Sequence, residues 1–566
     1  MADKYSTIRY NKAPQVSHPR TRFNLSHEIL TTCNTGDFVP TLVEFINPGE
    51  TVDLKSSSLT RLETSLHQTM DNAYFEQAFF AVPLRILWTD FEKFQGSNDD
   101  AWAQTQSFSI PQLFLSGANA ATSINPGSLL NHLCLPAGSY GYGLEAGKKY
   151  ISIEALSLRG VFEVYNQWYR DENYDSIIYY SKASVDNSAG AGFLFNGSYF
   201  FPSTQNLKVH RLRDRFSTVL PAPQKGQEVS IGLGNLAPLV VNPNGLTALG
   251  GDLKLGDVVA DGTGFEHLVI GEGLSDHPNS VYSTNNDENT HATLPVRKTN
   301  LAADLSAATS ITINQLRLAI VRQAMLERDA RTGTRYFEVI QGRWNITAPD
   351  MVLDRCEYLG GKRTPVSMME VLQTSETGTT VLGSDAGHSK TFDNDEGFVK
   401  SFSQHCLLLG FLYFRTDRSY SQGIDRRHFI KDYLDMPDPM LDKIGEVPVY
   451  RKELYAIESQ DATDVGKAEE VFGYQEQYYW IKERTNRFSG YFQPGINGTL
   501  DSWHYGDDYN DFPLASASWM KETADQVDRT IAVQSNAAFQ WSVNIHFELH
   551  VTRPFAKYSI PNTFGF

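Results

Sequence analysis

The C-terminal part of the chain carries the pattern that most constrains its fold. Across residues 539–551, an apolar side chain occupies every second position. Successive side chains of a β-strand point to opposite faces of its sheet, so this period of two predicts one long strand with a buried face and an exposed face. A strand of that length needs partner strands. The pattern therefore predicts a fold that is mainly β.

Continuous apolar runs predict strands of a second kind. Residues 74–82 and 406–414 are almost uninterrupted in apolar side chains, and Pro83 follows the first run. Runs of this length suit strands that are buried on both faces. Residues 38–46 are also rich in β-forming side chains, and Asn-Pro-Gly at 47–49 predicts the turn that closes them.

Three segments show helical spacing of their apolar residues instead: 84–94, 156–172 and 312–331. The last predicted helix has a polar face with Arg317, Arg322, Arg328 and Arg331. Such a face is typical of a solvated helix with ion pairs along it. A contact with DNA or with another subunit is the alternative.

Residues 226–310 differ in composition from the rest of the chain. Gly, Asn, Ser, Thr and Asp dominate there, and helical periodicity is weak. We interpret the segment as a long insertion of short strands and exposed loops, which either forms its own small β-structure or is ordered only by neighbours. The absence of a sequence repeat argues against solenoids and propellers. Strands separated by long irregular excursions favour one jelly-roll domain over residues 26–566.

Residues 1–25 form a basic arm. Lys4, Arg9, Lys12, Arg20 and Arg22 stand against a single acidic residue, and two prolines exclude a regular helix. The arm either clasps a neighbouring subunit or faces inward and meets the phosphates of a genome. The whole chain has a formal net charge of −17, which would repel nucleic acid. Any contact with DNA therefore needs a local basic patch or a separate basic partner.

The sequence predicts neither secretion nor insertion into a membrane. The N-terminus is polar, and no apolar run reaches the length of a membrane span. The four cysteines, Cys33, Cys134, Cys356 and Cys406, form no Cys-x-x-Cys pair, which favours reduced thiols in a cytoplasm.

The sequence selects no active site and no metal site. His546 and His550 resemble a zinc motif, but on a strand they would lie about 13 Å apart, which is too far to share a metal ion. The oxygen-rich segments 393–397 and 507–511 are predicted to be solvated turns, because neither has the spacing of a calcium-binding loop. Adventitious calcium, held between subunits, is the alternative. Phosphate-binding loops and nucleophile elbows are absent.

A family resemblance covers most of the chain. Residues 346–375 read ITAPDMVLDRCEYLGGKRTPVSMMEVLQTS. This segment resembles the EYLGG-x-R-x-P…V-x-QTS segment of the major capsid proteins of microviruses, which are small phages with single-stranded DNA. Further stretches match in order, and they include MDNAY at 70–74, YNQWYRDEN at 165–173 and LERDARTGTRY at 326–336. The gokushovirus-like branch is the most similar. Residues 226–310 match weakly.

The resemblance implies an eight-stranded viral jelly roll with long loop insertions and a few short helices. It implies about sixty copies in a T=1 icosahedral shell, assembled through pentamers in the cytoplasm of a bacterial host, around a circular single-stranded DNA genome. The implied partners are a small basic DNA-binding protein, a minor or pilot protein and a scaffolding protein of the same phage. The resemblance also implies an insertion that projects at the three-fold axis and meets a host receptor, and we assign it to residues 226–310.

A protein of another class shares much of this composition. A β-sandwich that binds glycans, or a glycoside hydrolase on that fold, would also be rich in strands, loops and aromatic residues. It would be a monomer or a small oligomer with a carboxylate pair in a cleft. It would not explain the collinear motifs.

Overall fold

A computed structural model gives the structure of the chain. It describes residues 19–97, 108–114, 123–139, 152–188, 192–227, 229, 239–241, 268–270, 281–283, 301–303, 313–350, 352–372, 385–456, 466–532 and 539–558. No helix within these ranges is long and apolar enough to cross a membrane.

One of two large antiparallel sheets contains both ends of the described chain. Its strands are β1 (Thr21–Asn24), β2 (His27–Cys33), β4 (Thr51–Leu62), β7 (Thr391–Ser401) and β9 (Trp541–Arg553). The strand β9 lies at its centre, with β4 on one side and both β1 and β2 on the other, and β7 pairs with the far edge of β4. We call this the first sheet.

The second sheet is built from β3 (Asp37–Ile46), β5 (Ala73–Pro83), β6 (Glu357–Pro365) and β8 (Cys406–Thr416). Its order is β3-β8-β5-β6, and the short strand Leu207–Lys208 extends it beyond β3. The apolar runs predicted as strands are β5 and β8. Both are buried along almost their whole length, as strands covered on two faces must be.

The chain passes between the two sheets in the order that makes a jelly roll. The strands β2, β4, β7 and β9 belong to the first sheet, and β3, β5, β6 and β8 belong to the second. Two long insertions interrupt this framework, one between β5 and β6 and the other between β8 and β9. The prediction of a mainly β jelly roll with long insertions is confirmed.

The core between the sheets follows from the period-2 pattern. Along β9, the side chains at 541, 543, 545, 547, 549 and 551 are buried, whereas the side chains between them are not. Trp541 stacks on Phe414 of β8 with ring centroids 4.2 Å apart, and Phe547 meets the edge of Phe79. These contacts join the two sheets through large apolar side chains, which supply most of the stabilisation in such a core.

The outer face of the second sheet is also covered. The helix α3 (Leu156–Val164) packs on it and continues into a π-helical turn, Tyr165–Tyr169. Gly160 permits the close approach, because a Cβ at this position would lie 2.7 Å from Leu407 of β8. The helical prediction for residues 156–172 is thereby confirmed over most of its length.

The single helix predicted for residues 84–94 is instead two short helices, α1 (Leu84–Leu87) and α2 (Phe91–Phe94). The break between them has a tertiary cause. The backbone N–H of Thr89 donates to the carbonyl of Lys182, and the Trp88 ring nitrogen donates to the Ser184 hydroxyl at 2.7 Å. The bond from Thr89 replaces the helical bond that this N–H would otherwise donate within the helix, and the Trp88 side chain is held by its own bond to Ser184.

A prediction was missing for β4, which is one of the longest strands of the sheet. Its inward-facing positions start with Val52 and Leu54 and finish with Leu62. Between them lie Ser56, Ser58 and Thr60. All of these side chains are buried. Small hydroxyl residues at buried positions hide the alternation that identified β9.

Residues 226–326 form a separate compact unit. Two two-stranded ribbons are described within it: Leu239–Val241 pairs with Leu301–Ala303, and Leu268–Ile270 pairs with Val281–Ser283. The rest of the predicted insertion at 226–310 lies almost wholly outside the described residues. The helix α4 (Ile313–Thr332) matches the prediction for 312–331 and contains no buried residue, and α5 (Tyr336–Trp344) follows it.

Shorter elements fill the two insertions. The remaining strands are Gln112–Phe114, Ser123–Ile124, Gly138–Ser139, Ser152–Glu154, Asn187–Ser188, Phe193–Phe195, Ser198–Phe200, Met368–Leu372, Asp385–Ser389, Ser419–Tyr420, Glu446–Tyr450, Val471–Glu476 and Asn486–Arg487. The remaining α-helices are Leu129–His132, Tyr479–Lys482 and Asp525–Asp528. The 3₁₀ helices are Arg426–Phe429, Tyr433–Asp435, Arg451–Glu453, Lys467–Glu469, Gly490–Phe492 and Asp501–Trp503.

Candidate assembly and nucleic-acid surfaces

The described part of the basic arm lies along the first sheet. The strand β1 pairs with the end of β9, and the Arg20 guanidinium donates to the carbonyl of Gly49. Arg22 forms an ion pair with Asp53 of β4 at 2.9 Å. Lys4, Arg9 and Lys12 lie outside the described residues. Arg20 and Arg22 therefore both contact residues of their own chain. Contact of the arm with the genome or with a neighbouring subunit stays a prediction.

The outward face of the first sheet is open to solvent. A row of paired positions crosses four strands, from Leu30 through Asn544 and Leu59 to Phe392. Leu30 is 80% exposed and Phe392 is 71% exposed. Three of the four side chains in this row are apolar and exposed, which is typical of a surface that meets a partner.

A buried network of charges links the two insertions beside the end of β8. Asp507 accepts from Arg211 and from Arg418, each at 2.8 Å, and Arg418 also pairs with Glu522. All four side chains are almost fully buried. Burial opposes the charge of Asp507, but the two guanidinium groups outweigh it and lower the pKa of this carboxyl to about 2. Asp507 therefore remains ionised at neutral pH.

A cavity of about 430 Å³ opens on the outer face of the second sheet. One side of its lining is apolar, with the rings of Trp168 and Tyr358 5.9 Å apart. On the other side, Arg415 binds Glu76 through two hydrogen bonds, and the Arg363 guanidinium lies 3.6 Å from the centre of the Tyr74 ring. The volume is within the range of ligand sites. Glu76 faces both Arg415 and Arg363, the latter at 3.7 Å, so this part of the lining has one positive charge in excess beside flat rings.

Two side chains of the cavity lining have raised pKa values. Burial opposes the charge on Arg415, yet its bonded Glu76 partner outweighs burial and raises the pKa of the guanidinium. Burial, reinforced by Asp395 and Glu76, raises the pKa of the Tyr358 hydroxyl. Both groups therefore keep their protons at neutral pH, where a base must be able to accept one.

The prediction of solvated turns is wrong for 393–397, which lies within β7, and for Asp507, whereas 508–511 form a mostly exposed irregular segment. Asp393 begins a run that lies within β7, where its buried carboxylate pairs with Lys362 of β6. Asp507 is buried in the charge network, whereas Asp511 at the end of the same motif is 71% exposed in its side chain. Acidic composition alone predicted exposure, and the arginine or lysine partners that permit burial are distant in sequence.

The two histidines of the candidate zinc motif lie on β9, as the period-2 pattern predicted. His546 is 3.8 Å from Glu28 of β2, and His550 is 3.5 Å from Glu548. Within the described ranges, no group of three or more histidine, cysteine, aspartate or glutamate side chains is gathered for a metal ion.

The cysteines are free thiols in the structure. Cys33, Cys356 and Cys406 are buried, and Cys134 is exposed. Burial raises the pKa of Cys406 to about 12, so this thiol stays protonated and unreactive at neutral pH.

The arginines on the polar face of α4 are exposed in the single chain, and a contact with DNA or with another subunit stays a prediction. Arg331 pairs with Glu446, and its second nitrogen lies 3.9 Å from Glu476. The apolar residues of α4 are solvated too, including Leu318 at 69% and Val321 at 65% exposure.

Sequence reasoning missed the buried charged residues altogether. Arg159 in α3 is the clearest example, because its guanidinium donates to the carbonyls of Leu87 and Val185 and to Asn187. A signal existed: an arginine at a position of an apolar helical face must find acceptors inside the protein. Arg211, Arg418 and Glu522 gave no comparable signal, because they lie in irregular segments.

Comparisons with known proteins cover nearly the whole chain. Residues 12–563 match the protein family described as capsid protein (F protein). The chain is 31% identical to capsid protein VP1 of Spiroplasma virus 4, over 96% of this chain and 95% of that protein. It is 29% identical to capsid protein VP1 of Bdellovibrio phage phiMH2K, over 100% and 99%, and 28% identical to that of Chlamydia phage 1, over 98% and 97%.

Proposed function

We propose that this chain, which belongs to the capsid protein (F protein) family and is a structural, non-enzymatic component of a microvirus virion, closes into a T=1 shell of about sixty copies around a circular single-stranded DNA genome. Members of this family self-assemble. The number of copies, the assembly through pentamers and the genome are the parts that we propose.

The observation that carries this proposal is the division of the chain between framework and insertions. Two sheets form a rigid jelly roll, and two insertions leave it between β5 and β6 and between β8 and β9. Long loops on a rigid β scaffold can build extended interfaces without weakening the core. A glycan-binding β-sandwich or a glycoside hydrolase, our alternative, would not need insertions that rival the framework in length.

We assign contact with the genome to the arm and to a partner. A chain of net charge −17 cannot neutralise DNA, so Lys4, Arg9 and Lys12 would meet phosphates locally and a small basic protein of the phage would supply the rest. A minor or pilot protein and a scaffolding protein are the further partners that the family resemblance implies.

We assign host attachment to residues 226–310, as a projection at the three-fold axis. The contacts within the chain set residues 226–326 apart as a compact unit, which supports a segment with its own fold. Replacing residues 226–310 by a short Gly/Ser linker should leave a subunit that folds and assembles, and should reduce phage adsorption to host cells. Loss of folding in the purified variant would contradict the assignment.

The first experiment is mass photometry with negative-stain electron microscopy. The chain should be expressed alone, and then with the neighbouring proteins of its phage. Pentamers, or closed shells of the mass of about sixty subunits, would support the proposal. A stable monomer under every condition would contradict the proposed assembly.

A further inference from the structure

The cavity on the outer face of the second sheet combines flat rings with positive charge. It has a volume of about 430 Å³ and lies against β5, β6 and β8. Among the described residues, five large aromatic side chains line it: Phe80, Trp168, Tyr169, Tyr358 and Tyr413. The cations of this described lining, which face the carboxylate of Glu76, are Arg211, Arg213, Lys362, Arg363 and Arg415. A ligand that uses both kinds of side chain carries a flat ring and a negative charge.

A β-bulge in β6 brings a ring and a cation onto the same face of the sheet. Tyr358 and Arg363 are five positions apart, so in a regular strand they would point to opposite faces. The register of β6 against β5 shifts between Tyr358 and Gly360, which adds one residue to β6. Tyr358 therefore lies opposite Phe80 and Arg363 lies opposite Glu76, on one face. Bulges beside functional sites re-aim side chains in this way.

The floor of the cavity between Tyr358 and Arg363 is made of small residues. Gly361 of β6 pairs with Ala78 of β5. A Cβ at Gly361 would lie 2.8 Å from the hydroxyl oxygen of Tyr358, so the glycine leaves room for the tyrosine side chain. Tyr358 remains 45% exposed. An exposed ring at the wall of a cavity is a platform on which another flat ring can stack.

The aromatic side of the cavity is held in position by the protein itself. The Trp168 indole N–H donates to the carbonyl of Cys356 at 3.0 Å, and the Arg355 guanidinium lies 4.1 Å from the centre of the indole. Phe80 packs edge to face with Tyr358, with ring centroids 5.5 Å apart. A surface that is ordered in advance loses little conformational entropy on binding, which favours affinity.

The cationic side has more positive than negative charge. Arg415 donates two hydrogen bonds to Glu76, and Arg363 lies 3.7 Å from the same carboxylate. Arg213 is exposed in the same lining. Three arginines and one carboxylate leave an excess of two positive charges. The other two cations pair with carboxylates outside the lining, Lys362 with Asp393 and Arg211 with Asp507. Planar guanidinium groups match the geometry of phosphate.

We propose that this cavity binds one nucleotide, with its base on Tyr358 and its phosphate on Arg363 and the neighbouring arginines. A neutral sugar would leave the arginines without an anion, and inorganic phosphate would leave the rings uncovered. A free nucleotide and one nucleotide of a single strand share this chemistry. The inference goes beyond the proposed contact between the basic arm and the genome, and it does not require assembly, because the whole cavity belongs to one chain.

Photocross-linking locates the bound base. The purified full-length subunit should be irradiated with the monophosphate of 5-iodo-2′-deoxyuridine, and the cross-linked peptides identified by mass spectrometry. The base should be attached to Tyr358 or Trp168, and an excess of thymidine monophosphate should suppress this product. Cross-links confined to other parts of the chain would overturn the inference.

Calorimetric titration with thymidine monophosphate measures the two sides of the cavity separately. Tyr358→Leu and Arg363→Gln should each raise Kd about tenfold, because one removes the stacking ring and the other a charged hydrogen-bond donor. Both variants should keep the urea midpoint of the wild type. The matched controls are Tyr433→Leu and Arg487→Gln, which change exposed side chains outside the cavity and should leave Kd unchanged. Absence of saturable binding to the wild type, or equal Kd values for wild type and cavity variants, would overturn the inference.

Related ligands identify the chemistry and the source of the nucleotide. Thymidine and inorganic phosphate should each bind at least about tenfold more weakly than the monophosphate, because each uses one side of the cavity. Equal binding of inorganic phosphate would overturn the role of the rings. An oligothymidylate of about eight nucleotides that competes at the cavity and binds more tightly than the monophosphate would make a single strand the ligand. Equal affinity would make it a free nucleotide, and both outcomes support the cavity as a nucleotide site.

Shell formation is measured independently of nucleotide binding. A chain that closes into shells and binds no nucleotide in the cavity would overturn this inference and leave the proposed function standing. A chain that binds the nucleotide and stays a monomer would do the reverse.

Discussion

Asp507 shows what a single residue contributes to this fold. Its carboxylate lies between Arg211 and Arg418, and all three side chains are buried. Two buried cations without this anion would carry an uncompensated charge, whereas Asp507 together with Glu522 balances both arginines. The residue joins segments of the two insertions that are far apart in sequence.

The substitution Asp507→Asn should therefore destabilise the subunit by about 3 kcal/mol or more, because it leaves buried arginine charge unpaired. Urea unfolding of the purified subunit measures this change. The matched control is Asp511→Asn in the same motif, whose partner Lys467 is 3.8 Å away at the surface. The control should change the free energy of unfolding by less than about 0.5 kcal/mol. Equal effects of the two variants would contradict the buried network.

The lowered pKa of the Asp507 carboxyl predicts that the stability of the folded subunit depends on pH. Its pKa is about 2 in the folded chain, below its ordinary value of 3.8, because the two arginines outweigh burial. A depressed pKa stabilises the fold above about pH 4, and this stabilisation is lost as the pH falls from about 4 to about 2. Over that window wild type should lose about 2 kcal/mol more than Asp507→Asn, measured by urea unfolding at each pH. Parallel pH profiles would contradict the assignment.

At the scale of elements, a β-bulge determines how β7 pairs with β4. The register of the two strands shifts between Asp395 and Phe398, and Gly397 lies in the shift with φ at +63°. A side chain at this glycine would collide with the carbonyl oxygen of Leu54 on the neighbouring strand. The bulge thus needs glycine both for its conformation and for the close approach.

We expect Gly397→Ala to destabilise the subunit by about 2 kcal/mol or more, from backbone strain together with the displaced strand. Gly495→Ala is the control, since Gly495 has φ at +76° and no atom within 4 Å of its added Cβ. The control should cost only the conformational part, about 1 kcal/mol. Both unfolding free energies come from urea titration, and a smaller effect at position 397 than at 495 would contradict the role of the bulge.

At the scale of the whole molecule, charge is distributed unevenly. A basic arm is attached to a chain of net charge −17, so attraction to DNA must act over a short range around the arm. Of the five predicted arm residues, Arg20 and Arg22 already have partners in their own chain. Lys4, Arg9 and Lys12 are the residues that we expect to meet phosphates.

The triple substitution of Lys4, Arg9 and Lys12 by glutamine should reduce the salt dependence of binding to single-stranded DNA. The slope of log K against log salt should fall in magnitude by about 2, since each lost phosphate contact removes about 0.7. Fluorescence titration of an oligonucleotide at several salt concentrations measures the slope. Arg22→Gln should leave it unchanged, because this arginine is paired with Asp53. An unchanged slope in the triple variant would place the DNA contact elsewhere.

The sequence by itself determined the mainly β class, the strands β5, β8 and β9, the helix α4 and, through its motifs, the family. These features are local: alternation, continuous apolar runs and helical spacing are all read along neighbouring residues. The strand β4 was not predicted, because hydroxyl side chains occupy several of its buried positions. The single helix predicted over 84–94 is two helices, because the backbone N–H of Thr89 bonds to the carbonyl of Lys182.

Only the tertiary structure decided which polar residues are buried. Asp393 and Asp507 were predicted to be solvated, and both are enclosed because Lys362, Arg211 and Arg418 approach them from distant segments. A buried charge depends on its partner in space, and local sequence does not specify that partner.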